Sequence, residues 1–269
     1  MAPLWRRVSR TAGLTLGLVV ILTVGCIRCF EDSLIYFPTT GNVGPSPGEE
    51  VTLTASDGVK IHGWYVTHAD AKVTILHLHG NGGNLEHRRD LVRDLAGLKA
   101  NVLAIDYRGY GKSEGKPDEK GLYADARAAY DWLCLRTKPE RVVLHGESLG
   151  AGPACELAAT VPCGGLIVQS AFTSAKDMAS RVMPWFPARW FMRSNYDNLS
   201  KVAHISCRKL FIHSRADEII PFEMGERLFA AAAEPKASAW FPSGGHNELT
   251  ILHPREVAAT LAKFLEPFR

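Results

Sequence analysis

Apolar and polar positions follow two alternating periods along most of the chain. From residue 73 onwards, short apolar runs of strand length are separated by longer stretches with helical periodicity. Repeated β–α units of this kind predict a mostly parallel sheet covered by helices on both faces. The predicted strands are residues 73–78, 101–105, 141–144, 165–169, 209–213 and 237–241, and the predicted helices are residues 85–98, 119–136, 149–160, 222–233 and 254–265.

Two segments depart from this alternation. The apolar runs 51–54 and 60–66 flank the turn signal Ser56-Asp57-Gly58, which predicts an antiparallel hairpin at the N-terminal edge of the sheet. Residues 173–206 are too long for a single crossover helix and predict a small lid over the sheet. Their aromatic side chains either form the apolar wall of a substrate pocket or pack the lid onto the body. The predicted pocket residues are Trp185, Phe186, Trp190 and Phe191.

The first 30 residues have the pattern of a membrane-attachment segment. A basic start precedes residues 11–27, which carry no charge and have the minimum length for a bilayer span. One alternative is an uncleaved anchor, which places the following domain on the non-cytoplasmic side. Another is a lipoprotein signal segment with Cys26 as the lipidated residue, and a third is acylation of Cys26 and Cys29. We therefore expect a membrane-associated protein in which residues 31–50 form a connector.

Composition and charge exclude several other classes. The chain has 269 residues, which is enough for one large α/β domain. Its net charge is +3 and no basic run exceeds two residues, so we expect no nucleic-acid partner. The six cysteines form neither a dense disulfide framework nor a complete zinc ligand set. We expect no metal and no organic cofactor.

The stretch Gly146-Glu147-Ser148-Leu149-Gly150 carries the strongest chemical signal. It follows an apolar strand and precedes a helix-forming segment rich in Ala and Leu. Strand, tight turn and helix form the context in which G-x-S-x-G becomes a nucleophile elbow. Ser148 is therefore the candidate nucleophile, beside a helix N-terminus that favours developing negative charge.

A serine nucleophile needs a base, and the base needs an orienting carboxylate. Asp217 follows the strand 209–213 directly, and it is preferred to Glu218, which precedes two isoleucines. His246, in the glycine-rich loop after the last strand, is the candidate base. His213 is set aside because it precedes the acid, and the chain order of nucleophile, acid and base is that of α/β-hydrolases.

The loop after strand 73–78 is the candidate oxyanion site. It reads His79-Gly80-Asn81-Gly82-Gly83-Asn84, and glycines expose backbone N–H groups. The N–H groups of Asn81 and Leu149 are expected to hold the oxyanion. His77 and His79 share a strand face, but no third metal ligand accompanies them.

At these residues the chain resembles the α/β-hydrolase superfamily, from about residue 51 to residue 269. Within that superfamily it is similar to the BEM46-like serine hydrolases, related to the alpha/beta hydrolase domain-containing 13 and 17 groups. The motifs that carry the resemblance are the loop 79–84, Asp106-Tyr107-Arg108-Gly109-Tyr110-Gly111-Lys112-Ser113-Glu114-Gly115, the elbow 146–150, the acid loop 216–221 and Gly245-His246-Asn247. The resemblance implies hydrolysis of esters or thioesters.

The sequence thus predicts a serine hydrolase that cleaves carboxylic ester or thioester bonds through an acyl-enzyme. The expected substrate is a small or lipid-like acyl ester or thioester, and we expect a monomer. Three alternatives stay open: a membrane-associated acyl-protein thioesterase, a serine peptidase and a non-catalytic binding protein on a hydrolase fold. The chain has no room for the large cap domain of many peptidases, and an intact triad argues against a retired site.

Overall fold

The chain folds around one eight-stranded sheet. The computed structural model describes residues 22–25, 28 and 31–268. The strands lie in the order β1-β2-β4-β3-β5-β6-β7-β8, and their bounds are β1 Glu49–Thr54, β2 Lys60–Val66, β3 Val73–Leu78, β4 Ala100–Ile105, β5 Val142–Glu147, β6 Gly165–Gln169, β7 Arg208–Ser214 and β8 Lys236–Phe241. Strands β3 to β8 run parallel. The β1–β2 hairpin is antiparallel and joins the sheet through β4, which confirms the predicted fold class.

Two helical layers cover the sheet. After β1, the α-helices of the described residues are α1 Arg89–Gly97, α2 Glu119–Cys134, α3 Ala151–Thr160, α4 Ala175–Val182, α5 Asn198–Val202, α6 Phe222–Ala231, α7 Leu249–Leu252 and α8 Pro254–Leu265. One apolar core lies under α2, α3 and α6, and the second lies under α1 and α8. The central strands β3 and β6 are buried along their whole length because both of their faces meet helices.

Most predicted elements form within a few residues of their expected bounds. The predicted helix 85–98 differs, because it begins as a 3-10 turn over Leu85–Arg88 before α1. Asn84 caps this turn by accepting from the backbone N–H of Glu86 at 3.0 Å, which fixes the chain just after the predicted oxyanion loop. Helices α4, α5 and α7 were not predicted individually, since they are short and lie in irregular segments.

The N-terminal prediction falls mainly outside the described residues. Of the predicted attachment segment 1–30, only residues 22–25 and 28 belong to the described part. Within the described ranges, no helix combines the length and the apolar character needed to cross a bilayer.

Candidate active site

Ser148 lies at the turn between β5 and α3 in a conformation that few side chains adopt. Its φ is +52°, in the left-handed region. The turn is possible because the residues two positions before and after Ser148 are glycines. A Cβ on Gly146 would lie 2.6 Å from the Cα of Ala151, and one on Gly150 would collide with the carbonyl oxygen of Leu78. The two glycines therefore allow the strained turn that presents the serine hydroxyl.

Ser148, His246 and Asp217 form a continuous chain of hydrogen bonds. The hydroxyl oxygen of Ser148 lies 3.0 Å from His246 Nε2, and His246 Nδ1 lies 2.8 Å from Asp217 Oδ2. Because a carboxylate only accepts, Nδ1 carries the proton and Nε2 is free to accept from the serine. The structure thus brings together the three residues that the sequence singled out, from the loops after β5, β7 and β8.

The carboxylate of Asp217 is held in its ionised form by several donors. Its Oδ1 accepts from the backbone N–H groups of Ile219 at 3.0 Å and Ile220 at 2.8 Å. Burial alone raises the pKa of Asp217, but hydrogen bonds from His213, His246 and the Ile220 N–H outweigh it and lower the pKa well below the usual range. A carboxylate of this kind stabilises a positive imidazole beside it.

His213 is a contact of the acid that the sequence analysis missed. It is buried in β7, and its Nε2 lies 3.2 Å from Asp217 Oδ2 and 3.0 Å from the carbonyl oxygen of Ile220. Both partners accept, so Nε2 carries a proton that the two oxygens share. The sequence feature that could have indicated this contact is the position of His213 near the end of β7, four residues before Asp217.

Glu218, the rival candidate for the acid, has a different place. Its Oε2 accepts from the backbone N–H of His246 at 3.0 Å and does not contact the imidazole ring. Glu218 therefore fixes the loop that carries His246, whereas Asp217 contacts the ring itself.

The predicted oxyanion residues both line the cavity beside Ser148. Within the described part of the chain, the backbone N–H of Asn81 has no hydrogen-bond acceptor. The loop packs closely on the nucleophile, since a Cβ on Gly80 would lie 3.3 Å from the Ser148 Cβ. Leu149 is the first residue after the nucleophile, at the start of the helical turn. The geometry therefore leaves N–H donors next to the serine.

The buried carboxylate of Asp106 lies close to His79, the first residue of this loop. His79 donates from Nδ1 to the Gly80 carbonyl at 2.6 Å, and its Nε2 lies 3.6 Å from Asp106. Burial raises the pKa of Asp106, but the adjacent rings of His62 and His79 outweigh it and the pKa is lowered. His77 does not join His79 and instead meets His145, with 3.2 Å between their Nδ1 atoms. The two histidines weighed as a metal pair thus have separate partners.

An apolar cavity of about 680 Å³ opens beside Ser148 and His246. Its polar side chains include Arg88 and Glu147, whose Nε and Oε2 atoms lie 4.0 Å apart. Most of the wall is aliphatic or thioether, with residues from the loop after β3, from α4 and from the segment that follows α4. These apolar wall residues include Leu34, Ile35, Phe37, Phe172, Met178, Ala179, Val182, Met183, Met192, Ile219 and Ile220.

The four aromatic residues predicted to line the pocket do not line it. Trp185, Phe186, Trp190 and Phe191 are absent from the cavity wall. Trp185 is 80% exposed and Trp190 is 79% exposed, while the rings of Phe186 and Phe191 lie 6.0 Å apart. The reason is that α4 turns its aliphatic and methionine side chains inward, which leaves the aromatic turn after it on the outside.

Part of the cavity wall comes from the predicted connector. Residues 31–35 are helical, and Leu34, Ile35 and Phe37 line the cavity. Tyr36 between them is buried, and its hydroxyl lies 2.6 Å from that of Tyr196. The amide side chain of Asn81 binds the same segment, donating to the Ile35 carbonyl and accepting from the Phe37 N–H at 3.0 Å.

A strained serine between strand and helix, with its acid and base on the following loops, is the arrangement of the α/β-hydrolase fold. The family model described as alpha/beta hydrolase fold matches residues 73–219, and the chain belongs to this family. The matched family model describes the α/β-hydrolase fold in general and does not distinguish subfamilies. The BEM46-like resemblance therefore stays a prediction.

Individual relatives agree with this assignment. An uncharacterized protein of Mycobacterium tuberculosis is 38% identical over 241 residues, which cover 86% of each chain. The alpha/beta hydrolase domain-containing protein WAV2 of Arabidopsis thaliana is 32% identical, and the match covers 94% of this chain and 92% of WAV2. The solved structure of the Pyrococcus furiosus esterase Pf2001 superposes with a TM-score of 0.73 at 22% identity, covering 86% of this chain and 98% of that one.

Proposed function

We propose that this chain is a serine hydrolase that cleaves carboxylic ester or thioester bonds. The observation that carries the proposal is the hydrogen-bond chain from Asp217 through His246 to Ser148, at the wall of an apolar cavity. A similar fold in a protein named as an esterase is consistent with it.

The proposed reaction proceeds in two halves. His246 Nε2 takes the proton of the Ser148 hydroxyl as the oxygen attacks the carbonyl carbon. The carbonyl electron pair moves to the oxygen, and the N–H groups of Asn81 and Leu149 stabilise the resulting oxyanion. The intermediate collapses, and the alcohol or thiol leaves with the proton from His246. Water, deprotonated by the same imidazole, then releases the acid and restores Ser148.

The composition of the cavity wall favours a substrate with an apolar acyl group. Its wall near Ser148 is built largely from methionine and aliphatic side chains, which adapt to flexible chains. This wall also supports the second candidate, an acyl-protein thioesterase that removes long acyl chains at a membrane. The uncharged stretch 11–27 supports membrane attachment through the N-terminal segment, and we propose that attachment together with the second candidate.

Labelling of the full chain with a fluorophosphonate probe tests the proposal. We expect wild-type protein to be labelled, and Ser148→Ala to remain unlabelled at the same concentration. A series of p-nitrophenyl esters and acyl thioesters of increasing chain length then separates the two candidates. Absence of labelling in folded wild-type protein would refute the serine mechanism.

A further inference from the structure

The mouth of the cavity is bordered by apolar side chains that face solvent. Leu34, Phe37, Val182 and Ile219 all line the cavity, yet they are 62%, 59%, 69% and 49% exposed. We call these four residues the apolar rim. Large apolar side chains that border a cavity and remain exposed together commonly mark an interaction site.

Two tryptophans adjoin the apolar rim in the chain. Trp185 and Trp190 are about four-fifths exposed, and they follow the rim residue Val182 by three and eight residues. Met183 and Ala188, which lie between the rim and Trp190 in sequence, line the cavity. The two tryptophans are therefore neighbours in the chain of residues that line the cavity, but they do not line it themselves. Tryptophan concentrates at the boundary between water and lipid, where its apolar ring and polar N–H are both accommodated.

The charged residues of this segment are arginines, and acidic residues lie directly before and after it at Asp177 and Asp197. Residues 178–196 contain three arginines and no acidic residue. Arg189 lies 3.7 Å from Asp177, and Arg193 lies 3.0 Å from Asp32 and 3.5 Å from Glu31, yet the two arginine side chains remain 49% and 53% exposed. Arg181 is also exposed. A basic edge around an apolar patch complements anionic lipid headgroups, at roughly 1 kcal/mol for each basic residue near the surface.

The chain preceding the rim has matching chemistry. The uncharged residues 11–27 end seven residues before Leu34, the first residue of the apolar rim. A stretch suited to a bilayer is thus joined by a short link to the cavity mouth. This continuity indicates that the surface facing the apolar rim is a lipid bilayer.

We propose that the apolar rim, with Trp185 and Trp190, docks on an anionic lipid bilayer so that the cavity opens towards the lipid. Tryptophans and rim side chains enter the interface, and the arginines of residues 178–196 contact the headgroups. Under the proposed function, on which this part rests, the substrate is an acyl ester or thioester held in the bilayer, whose chain passes directly into the cavity.

The test uses the full chain carrying Ser148→Ala, so that docking is measured without turnover. Vesicles of phosphatidylcholine and phosphatidylserine at 7:3 contain a dibrominated phosphatidylcholine that quenches nearby tryptophan fluorescence. The chain has six tryptophans. We expect quenching on vesicle binding, and we expect the double change Trp185→Phe and Trp190→Phe to remove more than half of it. The matched control is Trp132→Phe, whose parent ring packs against Arg136 and Tyr65, and it should leave the intensity lost per mole of protein unaltered.

Unchanged quenching in the double variant would overturn the proposal, because attachment would then involve only other parts of the chain. A protein that does not bind the vesicles would overturn it as well. Quenching at least twofold weaker with pure phosphatidylcholine would support the role of the arginines, and equal quenching would refute it. Failure of the serine mechanism would appear in fluorophosphonate labelling and not in this measurement.

Discussion

His213 Nε2 lies 3.2 Å from Asp217 Oδ2, the same carboxylate oxygen that accepts from His246. The acid is therefore fixed from two sides, by a fully buried histidine in β7 and by the imidazole that contacts Ser148. Because the same Nε2–H also reaches the Ile220 carbonyl, the contact ties the acid loop to the end of its strand. We therefore expect His213 to act through Asp217 as a positioning residue.

We expect His213→Leu to lower kcat by about tenfold, which corresponds to about 1.4 kcal/mol, with little change in KM. The variant leaves a buried carboxylate oxygen short of a donor, so the free energy of unfolding should also fall by about 1–3 kcal/mol. Steady-state kinetics with a soluble ester and urea unfolding measure the two effects. His213→Gln, which keeps an N–H donor, should recover part of kcat. Equal losses in both variants would indicate a packing role alone.

Asp217 and Glu218 offer a matched comparison of the two acids. We expect Asp217→Asn to reduce kcat about 10⁴-fold, because the amide no longer holds the proton of His246 on Nδ1. Glu218→Gln should cost less than about tenfold, since its amide oxygen still accepts from the backbone N–H of His246. Kinetics of both variants on one ester decide the assignment. A larger loss in Glu218→Gln would reverse it.

The lowered pKa of Asp217 makes part of the stability depend on pH. In the unfolded chain an aspartate titrates near about 3.9. Above that pH, Asp217 is ionised in both states and its stabilising contribution is complete. As the pH falls towards the lower pKa of the folded state, the unfolded state takes up a proton first and the contribution is lost. The difference in unfolding free energy between wild type and Asp217→Asn should therefore shrink from pH 7 to pH 3 in urea titrations. A constant difference would contradict this cause.

Filling the cavity should change the preferred acyl length. Met178 lines the cavity from α4, and Met178→Trp replaces its thioether chain with a larger indole ring in that space. Each methylene that loses its buried site costs about 0.8 kcal/mol. We expect kcat/KM to fall at least about tenfold for long-chain p-nitrophenyl esters and little for the acetate. Trp185→Ala, outside the cavity, should leave the chain-length profile unaltered with soluble substrates. If Trp185→Ala changed the chain-length profile instead, the aromatic residues would line the substrate pocket as the sequence predicted.

The elbow glycines should tolerate no side chain. We expect Gly150→Ala to lower the free energy of unfolding by about 1–3 kcal/mol or more, because its Cβ would collide with the Leu78 carbonyl. Gly97→Ala is the matched control, since it lies in α1 with nothing within 4 Å of the added Cβ. That change should be neutral or stabilising by up to about 1 kcal/mol. Thermal and urea unfolding of the two variants provide the comparison.

The fold was predictable because its signals are local. Apolar runs and amphipathic stretches alternate with the two periods of strand and helix, so the layers follow from patterns within short windows. The hydrogen-bonded positions 148, 217 and 246 were found by loop type and chain order. Their catalytic roles stay a prediction that the experiments above test.

The cavity was not predictable in the same way. Aromatic side chains in residues 185–191 suggested a wall, but which face of a short, irregular segment turns inward depends on packing across the molecule. The thioether and aliphatic wall comes from α4, from the segment after it and from the loop after β7, and a further part comes from residues more than 100 positions before α4 in the chain. The contact between His213 and Asp217 likewise depends on the turn geometry after β7.

The amide of Asn81 joins the loop 79–84 to residues 35–37, so the segment before β1 is physically part of the candidate active site. Residues 35–37 and the sheet domain that carries Ser148 are consequently not interchangeable modules. A shortened or transplanted version of this hydrolase that began at β1 would lose one side of its cavity and release the loop beside Ser148. Evolutionary exchange of the leading segment should for the same reason require compensating changes around position 81.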